Sequence, residues 1–296
     1  MDMPEAVAGQ RVEISSPAGK LSYYRGGEGE GPPLLLIHSI NAAGSAYEMK
    51  PVYDRAVTRR IVYAIDLPGF GFSDRSDRPY DPRMMTDAVH AITAEIRKEH
   101  GDAPIDALAL SLGSEFLARA ASEEPTHYRT VGLISPTGMD SRAPYDGPPG
   151  SDRGNAVLYA MFRNPLWTKG FFRMLSSRIS IRYFLKKTFG SDKIDEGLFE
   201  YAYITTHQPG ARHAPYRFVS GYLFSKDITR VYDDLKMPVF VAHGVRGDFV
   251  DYKHLDKYKS LPNWTTHTMS TGALPQFELP GEFMRLYEDF LTTRPH

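Results

Sequence analysis

The sequence contains no cysteine, no marked excess of charge of either sign and no long apolar run. Without cysteine there can be no disulfide, no thiolate metal site and no cysteine nucleophile, although this says little about the cellular compartment. The 35 Lys and Arg residues nearly balance the 36 Asp and Glu residues. The overall charge therefore gives no reason to expect binding to nucleic acid or to an anionic membrane.

Signals for targeting and for cofactor binding are also missing. The first residues, MDMPE, lack the basic and apolar regions of a signal peptide, and no apolar run approaches the roughly 20 residues of a membrane helix. We therefore expect a soluble, cytoplasmic protein with no membrane partner. The ten histidines show no metal-ligand spacing, and no glycine-rich loop precedes a helix, so we expect neither a metal nor another cofactor.

Short apolar runs alternate with helical stretches along most of the chain, which predicts a mostly parallel sheet flanked by helices. The 296 residues fit one α/β domain with an inserted subdomain. Asp81, followed by proline, predicts the start of a helix that runs to about Glu99. Further helices are predicted at residues 112–123 and 283–291. The predicted strands are residues 11–15, 20–25, 34–38, 61–66, 107–110, 131–135, 239–243 and 264–269.

The alternation breaks between about Pro136 and Arg230. This stretch is rich in aromatic residues at helical spacing and shows no clear strand. It predicts a helical cap at residues 137–230, inserted into a core of residues 1–136 and 231–296. We expect most cap aromatics to pack the cap helices and to roof an apolar pocket, a usual location for a small-molecule site.

Residues 108–113 (LALSLG) place a serine between an apolar strand and a predicted helix. Ala109 and Gly113, two positions either side of Ser111, are small enough for a tight turn. Such a turn exposes the hydroxyl of Ser111, which can then attack an acyl carbon or a comparable electrophile. The alternative is a buried serine with a purely structural role in the turn.

Three more segments accompany this turn: residues 34–40 (LLLIHSI), residues 66–74 (DLPGFGFSD), and residues 238–244 (PVFVAHG) followed by Asp248. In this order the four segments resemble the α/β-hydrolase superfamily of the serine-nucleophile type, and they span most of the chain. The resemblance implies the α/β-hydrolase fold, with a mostly parallel eight-stranded sheet flanked by helices and an inserted helical cap.

The resemblance also implies roles for the matching residues. Ser111 would be the nucleophile, and the backbone N–H groups of Ile40 and Leu112 would stabilise the oxyanion. His38 and Ser39 would contact the substrate. Ser39 departs from the family's glycine, and it could narrow the pocket, add a hydroxyl donor or cap the loop.

Asp248 would be the acid that orients a catalytic histidine. It lies four residues after Gly244, one further than the common family spacing. Asp251 is therefore the fallback for this role, and Asp140, after a different strand, is a distant third.

The position of the catalytic base holds an alanine. Residues 272–275 (GALP) match the family's Gly-His-x-Pro loop with Ala273 at the histidine position. Alanine cannot accept a proton, and loss of a triad base lowers turnover by several orders of magnitude. Three explanations stay open: an engineered His→Ala change, a natural member that binds without turnover, or another histidine (His267, His243 or His38) acting as the base.

The functional prediction is a serine-hydrolase-like protein of low activity, acting on a small hydrophobic carbonyl compound. Esters, lactones, thioesters and substrates of carbon–carbon bond cleavage all belong to this class. A non-catalytic ligand-binding or interaction protein on the same scaffold is the alternative, since one fold hosts many functions. Glu115, four residues after Ser111, is expected at the positive end of the following helix, with a catalytic role as the less favoured reading.

Overall fold

The apolar runs form one eight-stranded sheet in the structure, a computed structural model that describes residues 2–141 and 145–293. The order across the sheet is β1-β2-β4-β3-β5-β6-β7-β8, in which β1, β2 and β4 pair antiparallel and all pairs from β4 to β8 are parallel. This confirms the predicted α/β-hydrolase fold. The strands are β1 (Gln10–Ser16), β2 (Gly19–Gly26), β3 (Leu34–Ile37), β4 (Val62–Asp66), β5 (Ile105–Leu110), β6 (Tyr128–Ile134), β7 (Val239–His243) and β8 (Trp264–Thr268).

The helices cover both faces of the sheet and form the insertion. Three short 3₁₀ turns occur at Ala46–Met49, Pro125–His127 and Lys253–Leu255. The α-helices are α1 (Lys50–Ala56), α2 (Pro82–His100), α3 (Gly113–Glu123), α4 (Ala156–Arg163), α5 (Thr168–Leu175), α6 (Arg178–Phe189), α7 (Glu196–Thr206), α8 (His213–Val219), α9 (Ile228–Asp233), α10 (Asp256–Lys259), α11 (Pro275–Glu278) and α12 (Pro280–Thr293). None of the helices in the described ranges is long and apolar enough to cross a membrane.

Alternate residues of each buried strand supply two apolar layers, as the period of a strand requires. In β3, Leu35 and Ile37 join the layer that packs against α2 and α3, whereas Leu34 and Leu36 join the layer beneath α1 and α12. Burial on both faces explains why β3 and its neighbours are continuous apolar runs.

The start of α2 follows the predicted capping pattern. Asp81 Oδ1 accepts a hydrogen bond from the N–H of Met84 (2.8 Å), and Pro82 occupies the first helical position. The helix ends at His100, followed by Gly101 with a positive φ of 81°. The predicted boundaries of this helix are therefore correct to within one residue.

Two strands begin earlier than predicted because charged residues interrupt their apolar pattern. Asp106 in β5 is completely buried, and it accepts hydrogen bonds from Arg129 Nε (2.9 Å) and Thr130 Oγ1 (2.6 Å) in β6. Arg60 also pairs with its carboxylate. A buried acid is tolerated here because cations and a hydroxyl satisfy it.

Between β6 and β7 the described residues form α4 to α9, with one isolated bridge between Asp152 and Ser225. Residues 142–144 of the predicted cap lie outside the described residues. The predicted boundary after Arg230 falls inside α9, a helix that contacts α3 of the core. The division of the chain into core and cap stays a prediction.

Candidate active site

Ser111 occupies the sharp turn between β5 and α3. Its φ angle is +52°, a left-handed conformation that residues other than glycine rarely adopt and that costs of order 1–3 kcal/mol. Backbone hydrogen bonds hold the turn: the N–H of Ser111 donates to Ile134 O (2.8 Å), and the N–H of Ser114 donates to Ser111 O (3.0 Å). This strained strand–turn–helix geometry at the carboxyl end of a central strand is that of a nucleophile elbow.

The turn after β3 lies directly against the start of α3. A Cβ atom at Gly113 would lie 2.4 Å from the carbonyl oxygen of His38 and 3.3 Å from Cγ2 of Ile37. Cβ atoms essentially never approach other atoms closer than 3.0 Å, so only glycine permits this contact. Gly113 therefore brings residues 38–40 beside Ser111.

Two backbone N–H groups at this contact have no hydrogen-bond acceptor among the described residues. They belong to Ile40 and Leu112, whose exposed fractions are 3% and 1%. Buried backbone N–H groups are nearly always paired. Two unpaired ones, on the segments that flank a strained serine, match what an oxyanion hole requires.

His38 holds the same turn in place. Its Nε2 accepts a hydrogen bond from the N–H of Leu67 (2.9 Å), and its Nδ1 faces the carbonyl oxygen of Ser39 (2.5 Å). These contacts assign the proton to Nδ1 of a neutral ring. Burial lowers the pKa of His38 to about 4. Because the backbone engages both nitrogens, the ring is suited to positioning the turn, and its substrate contact stays a prediction.

Ser39 is joined to a buried carboxylate that the sequence analysis missed. The N–H of Ser39 donates to Glu48 Oε2 (2.9 Å), and Asn41 Nδ2 donates to Glu48 Oε1 (2.6 Å) and to Ser39 Oγ (3.0 Å). Burial raises the pKa of Glu48 to about 7. Glu48 thus fixes the residue that precedes Ile40. Its only sequence signal is one acidic residue within the otherwise uncharged run 46–49 (AYEM).

Ala273 lies in the loop between β8 and α11, packed against the C-terminal end of α6. Its N–H donates to Thr188 O (2.8 Å), and a Cβ atom at Gly272 would lie 2.3 Å from the carbonyl oxygen of Phe189. The loop also meets the segment after β7, where the N–H of Val245 donates to Thr271 O (2.8 Å). The loop of Ala273 is therefore next to the loop that follows β7 and holds Asp248, and the methyl side chain of Ala273 cannot accept a proton.

Asp248 is engaged in an ion pair at the surface. Its Oδ2 lies 2.5 Å from Lys187 Nζ of α6, and 53% of its side chain is exposed. Asp251 Oδ2 accepts hydrogen bonds from the N–H (3.0 Å) and the hydroxyl (2.5 Å) of Ser141. Among the described residues neither Asp248 nor Asp251 hydrogen-bonds to a histidine.

Asp140 and the two remaining candidate histidines also have contacts of their own. Asp140 accepts a hydrogen bond from the hydroxyl of Tyr145 (3.0 Å). His243 Nδ1 faces Gly244 O (2.9 Å), and burial lowers its pKa. His267 packs against Phe240, on the side of the sheet that α12 covers. None of these contacts joins a histidine to Ser111.

Glu115 lies in the first turn of α3, where it connects the core to both ends of the insertion. Its Oε1 accepts a hydrogen bond from Thr137 Oγ1 (2.6 Å), and its Oε2 accepts one from the N–H of Ser225 (2.9 Å). Burial raises the pKa of this carboxyl to about 7. Both oxygens hold chain segments in place, which favours a structural role.

A cavity of about 510 Å³ is lined by Met3, Phe72, Arg75 and Gln208, among others, and Ser111 does not line it. The rings of Phe162, Phe171 and Tyr216 stack on one another in the segment between β6 and β7. In the described residues no group of three His, Asp or Glu side chains could hold a metal ion.

Comparison with known proteins agrees with the observed fold. Residues 32–173 match the family model of the alpha/beta hydrolase fold, and no curated protein matches the chain. Solved structures similar to this chain include a serine hydrolase involved in carbazole degradation (19% identity, TM-score 0.69, 96% of this chain and 100% of that one). A thermophilic esterase from Thermogutta terrifontis (16%, 0.72, 96% and 99%) and the enol-lactonase from Burkholderia xenovorans LB400 (16%, 0.71, 95% and 100%) are similar too.

The match over residues 32–173 and the similar solved structures together identify the α/β-hydrolase fold. At these identities the solved structures establish the fold, and the roles of individual residues are a separate question.

Proposed function

We propose that this protein is a serine-hydrolase-like protein that binds a small hydrophobic carbonyl compound at Ser111 and turns it over slowly. Esters, lactones and thioesters are the favoured substrate class. The observation that carries the proposal is the strained φ of +52° at Ser111, accompanied by the unpaired N–H groups of Ile40 and Leu112. Backbone strain at a serine and two unpaired N–H groups both lower the stability of the fold, and a turn with a purely structural role requires neither.

In this proposal Ser111 Oγ attacks the carbonyl carbon, and the N–H groups of Ile40 and Leu112 stabilise the oxygen that becomes negative. Loss of one such donor typically costs about 3 kcal/mol of transition-state stabilisation. Because Ala273 supplies no base, the hydroxyl proton leaves to solvent. The tetrahedral intermediate then expels the alkoxide or thiolate, which takes a proton from solvent, and water hydrolyses the acyl-serine. The remaining oxyanion hole and binding energy sustain a residual acceleration of about 10³–10⁴ over water in enzymes that have lost triad members.

The proposed substrate class rests on the aromatic content of the chain and on the similar solved structures. Aromatic residues are frequent between β6 and β7, which suits an apolar ligand, and similar folds are those of an esterase and an enol-lactonase. We further propose that the protein is cytoplasmic, that it needs no metal or other cofactor, and that it does not act on nucleic acid.

The test restores the base. We expect Ala273→His to hydrolyse p-nitrophenyl acetate and butyrate at least 100-fold faster than the unaltered chain, because removal of a triad member typically costs about 10⁴–10⁶ in kcat. A fluorophosphonate should label Ser111 in this variant, as peptide mass spectrometry would show. The matched control is Ser111→Ala in the same background, which should lose both the label and the gain.

A folded Ala273→His variant with neither labelling nor a gain in rate would overturn the proposal. That outcome would favour a second candidate, a ligand-binding protein that does not turn over its ligand. The contacts of α6 support this candidate. Lys187 forms an ion pair with Asp248, which is then not available to orient a histidine, and Thr188 accepts a hydrogen bond from Ala273. It predicts that calorimetry detects binding of an apolar aryl ester which chromatography then recovers intact.

A further inference from the structure

Helices α4 and α5 and the segment between them carry an apolar surface that no described residue covers. It consists of Val157, Met161, Leu166, Trp167 and Met174, named here the cap ridge. The exposed fractions are 81% for Val157 and 86% for Leu166, and between 47% and 58% for the other three. Soluble monomers rarely expose contiguous apolar side chains of this size without a partner.

The cap ridge runs from α4 through the segment that connects it to α5. Val157 and Met161 lie one turn apart on α4, where residues four positions apart share a face. Leu166 and Trp167 lie between the helices, and Met174 lies in the last turn of α5. Trp167 Nε1 donates a hydrogen bond to Met161 O (3.1 Å), which joins the two halves of the ridge. A Cβ atom at Gly170 of α5 would meet no atom within 4 Å, so this side of α5 is open.

Other side chains already account for the inner side of these helices. Phe162 of α4 stacks on Phe171 of α5 (5.2 Å between centroids) and on Tyr216 of α8 (5.5 Å), and Phe172 is buried in the same cluster. The cap ridge is therefore not the packing face of α4 or α5. A helix that is apolar on several sides, as α4 is, is usually buried on more than one side, either by protein or by lipid.

Unpaired cations lie beside the cap ridge. Lys169 and Arg173 are one turn apart on the exposed side of α5, and no carboxylate of the described residues lies within ion-pair distance of either. Arg163 by contrast pairs with Asp77 (2.9 Å). The chain from residue 153 to residue 191 has no Asp or Glu, and its charged residues are Arg153, Arg163, Lys169, Arg173, Arg178, Arg182, Lys186 and Lys187.

We propose that the cap ridge docks on the surface of an anionic lipid bilayer. Apolar and aromatic side chains enter the boundary between headgroups and acyl chains, while Lys169 and Arg173 remain at the level of the phosphates. Trp167 suits this interface, because an indole ring places an apolar body and one N–H donor at the boundary. Helices as short as α4 and α5 lie on the bilayer and do not cross it.

Charge favours this occupant over a second copy of the chain. A two-fold contact through the cap ridge would place the basic side of α5 against its own copy, with no acidic residue of α4 or α5 to pair with Lys169 or Arg173. An anionic bilayer supplies the missing negative charge, and each basic residue near such a surface strengthens binding roughly fivefold.

Intrinsic fluorescence tests the proposal, because the protein has only two tryptophans. Trp264 is buried and Trp167 is exposed. With vesicles of phosphatidylcholine containing one third phosphatidylglycerol, we expect co-sedimentation, a blue shift of the emission, and quenching by brominated acyl chains. Trp167→Phe should abolish the shift and the quenching. Binding should be at least tenfold weaker to pure phosphatidylcholine, and weaker in 0.5 M salt.

Substitutions distinguish the contribution of the basic residues to vesicle binding from that of the apolar residues. Lys169→Gln with Arg173→Gln should lower the partition coefficient on the anionic vesicles roughly 10–30-fold, and Leu166→Ser should lower it several-fold. Lys236→Gln and Leu261→Ser, at exposed positions of the core, are the matched controls and should change it less than twofold. The proposal is overturned if the unaltered chain stays in the supernatant, if the controls weaken binding equally, or if light scattering shows a dimer that Leu166→Ser dissociates.

Discussion

The backbone N–H of Ala273 donates a 2.8 Å hydrogen bond to the carbonyl oxygen of Thr188. This bond attaches the loop that would carry a catalytic base to the last turn of α6, a helix of the insertion. The neighbouring carbonyl of Lys187 accepts from the N–H of Asp248 (3.4 Å). One helix end therefore holds the loop of Ala273 and the loop of Asp248 together, and backbone hydrogen bonds fix the position of Ala273.

The ion pair between Lys187 and Asp248 leads to a prediction about the acid. In the Ala273→His background we expect Asp248→Asn to lower kcat on p-nitrophenyl butyrate by about 10²–10⁴, because an asparagine stabilises the wrong histidine tautomer and no imidazolium. Asp251→Asn in the same background should stay within threefold, since that carboxylate binds Ser141. Steady-state kinetics measures both, and a larger loss for Asp251→Asn would transfer the role of acid to Asp251.

Gly113 offers a test of how the turn of residues 38–40 is positioned beside Ser111. Gly113→Ala would put a Cβ atom 2.4 Å from the carbonyl oxygen of His38, so the turn of residues 38–40 has to move. We expect the free energy of unfolding in urea to fall by about 2 kcal/mol. Gly281→Ala is the matched control, because a Cβ atom in the first turn of α12 would meet nothing within 4 Å. It should be neutral or stabilising by up to about 1 kcal/mol, and equal losses in both variants would contradict the close contact.

The strain at Ser111 predicts a stability gain when the side chain is removed. Glycine adopts a φ of +52° without the steric cost of a Cβ atom, so Ser111→Gly should raise the free energy of unfolding by about 0.5–1 kcal/mol after the entropy of the unfolded chain is included. Ala118→Gly, in the middle of α3, should lower it by about 1 kcal/mol. Thermal and urea denaturation measure both. A loss of stability in Ser111→Gly would mean that the serine hydroxyl stabilises the turn more than the backbone strain costs.

The fold could be predicted almost completely because the strands of a parallel sheet are buried on both faces and read as apolar runs. The predicted strand 239–243 coincides with β7. The starts of β5 and β6 were misplaced because Asp106 and Arg129 look like loop residues until their mutual pairing is known. Local pattern gives the periodicity of a strand, whereas the partner of a buried charge lies on another strand.

For the candidate site, the sequence predicted the elbow turn and the loop of Ala273, whose motifs are local. It did not reveal Glu48 or the attachment of the loops of Asp248 and Ala273 to α6, because these contacts join residues far apart in the chain. The net charge of −1 averages over an uneven distribution, because residues 153–191 carry no Asp or Glu while the rest of the chain holds the excess of acid. The expectation that no membrane partner exists stays a prediction, and the vesicle experiment tests it.

Glu48 gives a pH dependence whose sign can be worked out. Burial raises its pKa from an ordinary 4.5 to about 7. Between these two pH values the folded state holds a proton that the unfolded state has released, so its contribution to stability is complete below pH 4.5 and is lost as the pH rises through 7. The full effect is about 3 kcal/mol. We therefore expect the unaltered chain to lose stability relative to Glu48→Gln as the pH rises from 5 to 8.

Urea denaturation at several pH values measures this difference, and comparison of two chains removes the contributions of all other groups, including Glu115 with its similar pKa. Glu282→Gln, at an exposed position of α12, is the matched control and should follow the unaltered chain at every pH. Parallel curves for Glu48→Gln and the unaltered chain would mean that the carboxyl ionises at its ordinary pH. The hydrogen bonds from Ser39 and Asn41 would then offset the effect of burial on the pKa of Glu48. The turn of residues 38–40 would in that case be held by a carboxylate that is charged at neutral pH.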